Sequence, residues 1–182
     1  MADRALTGVL LVGGASTRFG SPKALARLEG ETLAERAWRL LGEVCDERLA
    51  VGKRADGLEL PFPLLDDGSD VRAPLAGVVA GLRAAANDVV AVLPVDVPLL
   101  AADDIVALAA ACRDAAVPPT GPLPGAYRKT ALAVLERRLA AGELKLRDGL
   151  GELATTVVPI DASRLLNVNT GEDLARVCRR AG

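Results

Sequence analysis

The chain has 182 residues, 51% of them apolar, with 22 Lys and Arg against 24 Asp and Glu, and no histidine. That length sustains one substantial core. A net charge of −2 and only four aromatic residues, Phe19, Trp38, Phe62 and Tyr127, give neither the electrostatic footprint nor the stacking platforms of nucleic-acid binding. Without imidazole, Ser-His-Asp triads and His-based zinc sites are excluded, so any chemistry rests on carboxylates, amides, cations or a bound metal.

In chain order, an apolar run from Thr7 to Val12 reads as a strand and leads straight into Gly13-Gly14-Ala15-Ser16-Thr17-Arg18-Phe19-Gly20-Ser21-Pro22-Lys23. Glycines let successive N–H groups turn toward one point, and Arg18 and Lys23 add two fixed cations, which suits a polyphosphate. The spacing matches neither the Walker pattern nor the Gly-x-Gly-x-x-Gly dinucleotide fingerprint. From Thr32 to Val44, Leu33, Ala37, Leu40, Leu41 and Val44 fall on one helical stripe, and Thr32 with Glu35 forms a capping box. Further strands are expected at Glu47 to Val51, Pro63 to Leu65, Val89 to Leu93, Ala115 to Val117 and Thr155 to Ile160. Helical patterns cover Pro74 to Ala86, Asp103 to Arg113, Thr130 to Ala141 and Gly171 to Arg180, the last capped by Thr170. The Pro-rich stretch from Pro118 to Pro124 breaks the alternation and reads as a flap or an antiparallel excursion.

Val- and Leu-rich strands alternating with helices predict an open α/β sandwich with a mostly parallel sheet, and ligands bind such folds at the strand ends. Asp96 stands there, in Pro94-Val95-Asp96-Val97-Pro98, its backbone restricted by the flanking prolines. One carboxylate facing a phosphate loop is enough for a nucleotide-bound Mg²⁺, and Asp96 is too far from the helix near Asp103 to cap it. In Leu166-Asn167-Val168-Asn169-Thr170 the two amides face one way if the segment is extended, available either to a ligand or to the turn. Asp66-Asp67-Gly68 fits a solvated turn. In Arg72-Ala73-Pro74-Leu75-Ala76-Gly77, small residues at a helix start serve close packing on the sheet at least as well as ligand binding. Cys45, Cys112 and Cys178 are widely spaced, fall in helix-like segments and read as buried thiols of a reducing compartment, the cytoplasm. No stretch reaches the ~20 apolar residues of a membrane helix and no leader pattern opens the chain, so a soluble protein with no membrane partner is expected.

Taken in order, Leu-Val-Gly-Gly-Ala-Ser-Thr-Arg-Phe-Gly-Ser-Pro-Lys, Ala-Pro-Leu-Ala-Gly, Pro-Val-Asp-Val-Pro and Asn-Val-Asn-Thr-Gly-Glu-Asp-Leu resemble the molybdenum cofactor guanylyltransferases over nearly the whole chain. The stretch from Pro122 to Leu150 is similar to that family's substrate-side region. The resemblance implies a single-domain, three-layer Rossmann-like nucleotidyltransferase fold over residues 1–182, with about 1–100 as the nucleotide-binding part and about 101–182 as the molybdopterin-side part. It implies transfer of GMP from GTP to Mo-molybdopterin with release of pyrophosphate, Mg²⁺ as cofactor, and apo-molybdoenzymes or other cofactor-biosynthesis proteins as further partners.

By position, the resemblance places Leu11, Val12, Gly13, Gly14, Lys53 and Asp67 at the nucleotide. It places Lys23 at phosphate, Asp96 at metal, and Asn167 and Asn169 on the substrate side near the reacting centre. Lys23, Arg18 and Asp96 would carry the catalysis. Lys53 stands where relatives often have Asn; Pro22 replaces an acid, Phe19 a Met and Gly171 a Pro. Pro before the loop lysine also occurs in neighbouring cytidylyltransferases, which leaves CMP transfer to molybdopterin or to a sugar or polyol phosphate open. A non-catalytic nucleotide-binding adaptor that delivers cofactor is the reading from another class. The Gly13-Gly14 pair and the Asn-Val-Asn motif favour the guanylyl branch.

Overall fold

The computed structural model describes residues 5–13 and 22–181; Gly14 and Arg18, both expected at the phosphate site, lie outside the described residues. Nine strands are seen among the described residues: β1 (Leu6–Leu11), β2 (Arg27–Leu28), β3 (Glu31–Thr32), β4 (Glu47–Gly52), β5 (Leu64–Asp66), β6 (Val89–Pro94), β7 (Ala115–Val117), β8 (Gly125–Arg128) and β9 (Thr155–Val157). The helices are α1 (Leu33–Val44), α2 (Pro74–Ala84), α3 (Ala102–Ala111), α4 (Leu132–Ala140), α5 (Leu146–Gly149) and α6 (Gly171–Ala181). The main sheet runs β5-β4-β1-β6-β8-β7-β9, and only β8 is antiparallel to its neighbours.

The first strand shows why the domain has three layers. Every residue of β1 is buried, and successive side chains point to opposite faces. Leu6 and Leu10 enter a core with Leu33, Leu41, Ile105, Leu108 and Val177, beneath α1, α3 and α6. Val9 and Leu11 enter a second core with Leu75, Val78, Leu82, Tyr127 and Leu135, beneath α2 and α4. Close approach of α2 requires small residues: a Cβ on Gly81 would lie 2.9 Å from both Val9 methyl carbons, and one on Gly77 would lie 2.8 Å from Leu11 Cδ2.

The Thr32–Glu35 box forms as expected. The Glu35 N–H donates to Thr32 Oγ1 (3.1 Å) and the Thr32 N–H to Glu35 Oε2 (2.9 Å). The Thr32 hydroxyl and N–H hold the Glu35 carboxyl below the usual range. The Thr130 hydroxyl and the Ala154 N–H do the same for Asp114, the residue before β7. A carboxyl whose folded pKa is depressed stabilises the native state above its unfolded pKa, and that contribution disappears as the pH falls through the folded value. The melting temperature is therefore expected to be flat from neutral pH down to about 4.5 and to fall below it. In Glu35→Gln part of that acid slope should be gone when melting is followed by circular dichroism; an unchanged slope would count against the box.

Two elements were not read in the sequence, and a third decides between the alternatives left open for the Pro-rich stretch. The β2–β3 ribbon turns through Glu29 and Gly30, at φ 53° and 88°. That turn lacks the Asn-Gly or Asp-Gly signal that marks such hairpins. The strand β8 follows the Pro-rich stretch, so that stretch begins an antiparallel excursion, and the buried Tyr127 hydroxyl donates to the Pro122 carbonyl (2.6 Å). The four-residue α5 is too short to show a period.

The expectation of three buried thiols is corrected. Cys112 is buried and Cys45 is half-buried, and burial pushes these thiols up to about 11 and about 12 respectively. Cys178 is exposed. Val177, buried, and Leu174, partly buried, pack on the core from α6, and the residue after Val177 lies about 100° around the helix. No helix among the described residues is long and apolar enough to cross a membrane.

Candidate active site

The parallel strands meet in the order β5-β4-β1-β6, so chain connections leave β1 in both directions. A crevice opens at the carboxyl ends where that order reverses. A cleft of about 340 Å³ lies there, reached by Leu11, Val12 and Gly13 after β1, Gly52 and Lys53 after β4, Asp67 after β5, and Val95 and Asp96 after β6. The Val12 N–H extends the ladder to the Val51 carbonyl (3.0 Å), and the Asp67 N–H donates to the Gly52 carbonyl (2.9 Å). The strand ends therefore hold these residues on a rigid base. Among the described residues, the nearest atom to a Cβ added at Gly13 is the Gly52 Cα at 3.7 Å, and Gly13 itself is exposed.

Lys23 opens a short 3-10 turn (Lys23–Leu25) and reaches back over the cleft. Its Nζ donates to Asp96 Oδ2 (3.2 Å) and to Asn169 Oδ1 (2.9 Å). Asp96 does not cap α3; Asp104 does, through the Ala101 N–H (2.9 Å). The Val168 N–H donates to the Asp96 carbonyl (2.8 Å) and lays the 166–170 segment along the turn after β6. Val168 is buried between exposed Asn167 and Asn169, so the alternation read in the sequence is present. Asn169 meets Lys23; Asn167 makes no side-chain hydrogen bond among the described residues.

The Asn169 N–H and the Thr170 hydroxyl and N–H all donate to Asp173 and hold its carboxyl below the usual range. The Asp173 N–H returns a bond to Thr170 Oγ1 (3.1 Å), the cap expected for α6.

At the other end of the cleft, Lys53 Nζ donates to Asp67 Oδ1 (2.9 Å) and Oδ2 (3.2 Å) and to the Ser69 carbonyl. The pair is largely buried, with side-chain exposures of 12% and 8%. The two adjacent acids therefore differ: Asp66 makes the exposed turn, accepting from the Arg54 and Gly68 N–H groups, which lower its pKa. Asp67 faces the cleft.

Sequence reading did not single out Asp56 or Leu123, both of which line the cleft. Asp56 pairs with Arg72 at its rim, Nη2 to Oδ1 at 2.6 Å. Leu123 comes from the Pro-rich stretch, marked in the sequence by the break in alternation and, from Pro122 on, by its similarity to the family's substrate-side region. Gly77 turns out to do both of the things weighed for it: it packs on Leu11 and lines the cleft. The start of α2 lines the same space, and among the described residues no side chain caps its first N–H groups.

Among the described residues no three His, Cys, Asp or Glu side chains gather as a metal cage. The donors do fit a hard divalent cation that takes its remaining ligands from phosphates and water, since Asp96 and Asn169 present a carboxylate and an amide oxygen to one cationic atom. Ammonium groups, the start of α2 and a carboxylate at the strand end, Asp96, around one cleft suit a metal-bound nucleoside triphosphate, while the other two lining carboxylates, Asp67 and Asp56, are paired with Lys53 and Arg72.

A family model described as the MobA-like NTP transferase domain matches residues 8–156. A Burkholderia ambifaria protein named molybdenum cofactor guanylyltransferase is 38% identical over 197 residues, covering 96% of this chain and 96% of that relative. A Burkholderia cenocepacia protein of the same name is 36% identical over 197 residues, again with 96% of each chain covered. Among solved structures, the molybdopterin-guanine dinucleotide biosynthesis protein A of Archaeoglobus fulgidus superposes with a TM-score of 0.81 at 24% identity, over 96% of this chain and 98% of that one. With a family match over most of its length and relatives of this similarity from end to end, the chain belongs to the MobA-like NTP transferase family.

Proposed function

We propose that this protein transfers GMP from GTP to Mo-molybdopterin, releasing pyrophosphate and forming the molybdopterin guanine dinucleotide cofactor. The observation that carries the reading is the meeting of Lys23 and Asp96 at the crevice between β1 and β6, with Asn169 on the same ammonium. The names of the full-length relatives supply the substrates. About residues 1–100 would form the nucleotide side and about residues 101–182 the molybdopterin side, with Asn167 and Asn169 at the junction. The cytoplasm is the compartment this reading implies.

In the proposed reaction, a phosphate oxygen of molybdopterin forms a bond to the α-phosphorus of GTP while the bond from that phosphorus to the α,β-bridging oxygen breaks. The pair of electrons leaves with pyrophosphate. The attacking phosphate is already anionic, so no proton has to be removed first, in keeping with a chain that contains no histidine. Acceleration then rests on positioning and on charge placed where charge develops. Lys23, with Arg18 of the preceding loop, would neutralise the departing pyrophosphate. Lys53 and Asp67 would bound the nucleoside end of the cleft. Mg²⁺, when bound at Asp96, supplies further neutralisation of the nucleotide phosphates.

Pyrophosphate release across the four ribonucleoside triphosphates, with molybdopterin as acceptor, is the test. Release is expected with GTP and to be weak with the other three. Release led by CTP would make this a cytidylyltransferase, and binding of GTP and molybdopterin without any release would make it an adaptor.

A further inference from the structure

Of the described residues around the cleft, Leu123 alone comes from the chain beyond Asp96. Its place there is a consequence of strand direction. Because β8 runs antiparallel to β6, with Gly125 opposite Val92, the segment entering β8 arrives at the carboxyl end of β6, where Pro94, Val95 and Asp96 line the same cleft. A parallel strand in that position would begin at the opposite edge of the sheet.

The segment has little freedom. The Tyr127 side chain is fully buried, and its hydroxyl donates to the Pro122 carbonyl (2.6 Å); Arg147 Nη2 donates to the Thr120 carbonyl (2.8 Å). Gly125 permits the first of these contacts, since a Cβ there would lie 2.6 Å from the Pro122 carbonyl oxygen and 3.1 Å from Tyr127 Cε2. A buried hydroxyl costs free energy unless it is bonded. This one is bonded to the residue directly before Leu123, which is itself half-buried against the core under α2 and α4.

On the reading above, the nucleoside lies toward β4 and β5, at Lys53 and Asp67, and the phosphates toward β1 and β6, at Lys23 and Asp96. The strand order β5-β4-β1-β6-β8 then sets Leu123 beyond the phosphates, on the side left for the acceptor. An isobutyl group has nothing to offer a phosphate, but it suits the face of a flat ring system that a phosphate is attached to.

Resting on that reading, we propose that Leu123 contacts the acceptor, bearing on the ring system that carries the attacking phosphate, and that Tyr127 is a positioning residue that holds Leu123 in the cleft through the Pro122 carbonyl. Neither side chain then touches GTP. Loss of either weakens acceptor binding and leaves nucleotide binding as it was.

The test is calorimetric titration of the purified protein with molybdopterin and, separately, with GTP, each variant being checked for folding by circular dichroism. Leu123→Ala is expected to bind molybdopterin about five- to tenfold less tightly, the scale of a partly exposed leucine losing its apolar contact. Leu123→Met, close in volume, should stay within about twofold. Tyr127→Phe should weaken molybdopterin binding about threefold, and should add little in the Leu123→Ala background, because its effect passes through a side chain already removed. GTP affinity should be the same in all four. Unchanged molybdopterin affinity in Leu123→Ala, or an equal loss of GTP affinity, overturns the acceptor contact. Normal molybdopterin binding by Tyr127→Phe, or an additive loss in the double variant, overturns the positioning role. An unaltered protein that binds no molybdopterin overturns the functional reading as well, which sets that failure apart from a failure of Leu123 alone.

Discussion

Replacing Asp96 by Asn is expected to slow pyrophosphate release by about 10²–10³-fold while leaving the fold in place, the scale of losing one electrostatic contact to the charge that develops in the transition state. Asn keeps the size of the side chain but removes the negative charge that faces Lys23 at 3.2 Å and would hold the divalent ion. Stability should change by less than about 1 kcal/mol, because the pair is partly solvated and such contacts contribute little. The main-chain bond from Val168 to the Asp96 carbonyl is untouched by the substitution. Steady-state release of pyrophosphate together with urea unfolding separates the two effects. Near-normal turnover in a folded Asp96→Asn protein would remove Asp96 from the reaction.

Leu10→Ala is expected to lower the free energy of unfolding by about 2–5 kcal/mol, the range for large-to-small changes in packed cores. Leu10 is fully buried at the middle of β1 and belongs to the core under α1 and α3. Its strand is paired with β4 on one side and β6 on the other, through Ala50 and Leu93 at this position. A cavity there is enclosed by sheet and helices and has little freedom to collapse. The readout is the urea midpoint at constant slope. A loss below about 1 kcal/mol would mean that the neighbouring side chains refill the space. Because β1 also delivers Val12 and Gly13 to the cleft, nucleotide affinity should weaken in this variant even under conditions where it remains folded.

Much of the fold was legible because its signals are local. Ala115–Val117 is a strand as read, and the Thr32 and Thr170 caps sit where side-chain chemistry places them. The buried Val and Leu runs of β1 and β6 identified a sheet covered on both faces. By contrast, β8 is Gly-Ala-Tyr-Arg, with too little alternation to declare itself, and its reversed direction is a property of its partners β6 and β7. The Glu29-Gly30 turn was hidden because a glutamate at positive φ is uncommon and leaves no signature.

For the site, residue types and their place in the chain pointed to Lys23 and Asp96 and left the Asn167 and Asn169 amides open to either a ligand or the turn; the resemblance added Lys53 and Asp67 and put the two amides on the substrate side. What the sequence by itself determined is therefore the inventory: strand–loop–helix units, their caps, a glycine-rich loop with cations, and an acid after the fourth parallel strand of the sheet. Tertiary structure alone decided which of these groups meet. Lys23 and Asn169 are 146 positions apart, and no local pattern relates residues so distant. It is the reversal of strand order at β1 and β6, with Val168 bonded along the turn after β6, that brings them onto one ammonium. The pairing of Lys53 with Asp67, and of Arg72 with Asp56, likewise follows from which strand ends lie side by side. Charge type is written in the chain, but the partner of each charge depends on distances that only the packed sheet fixes.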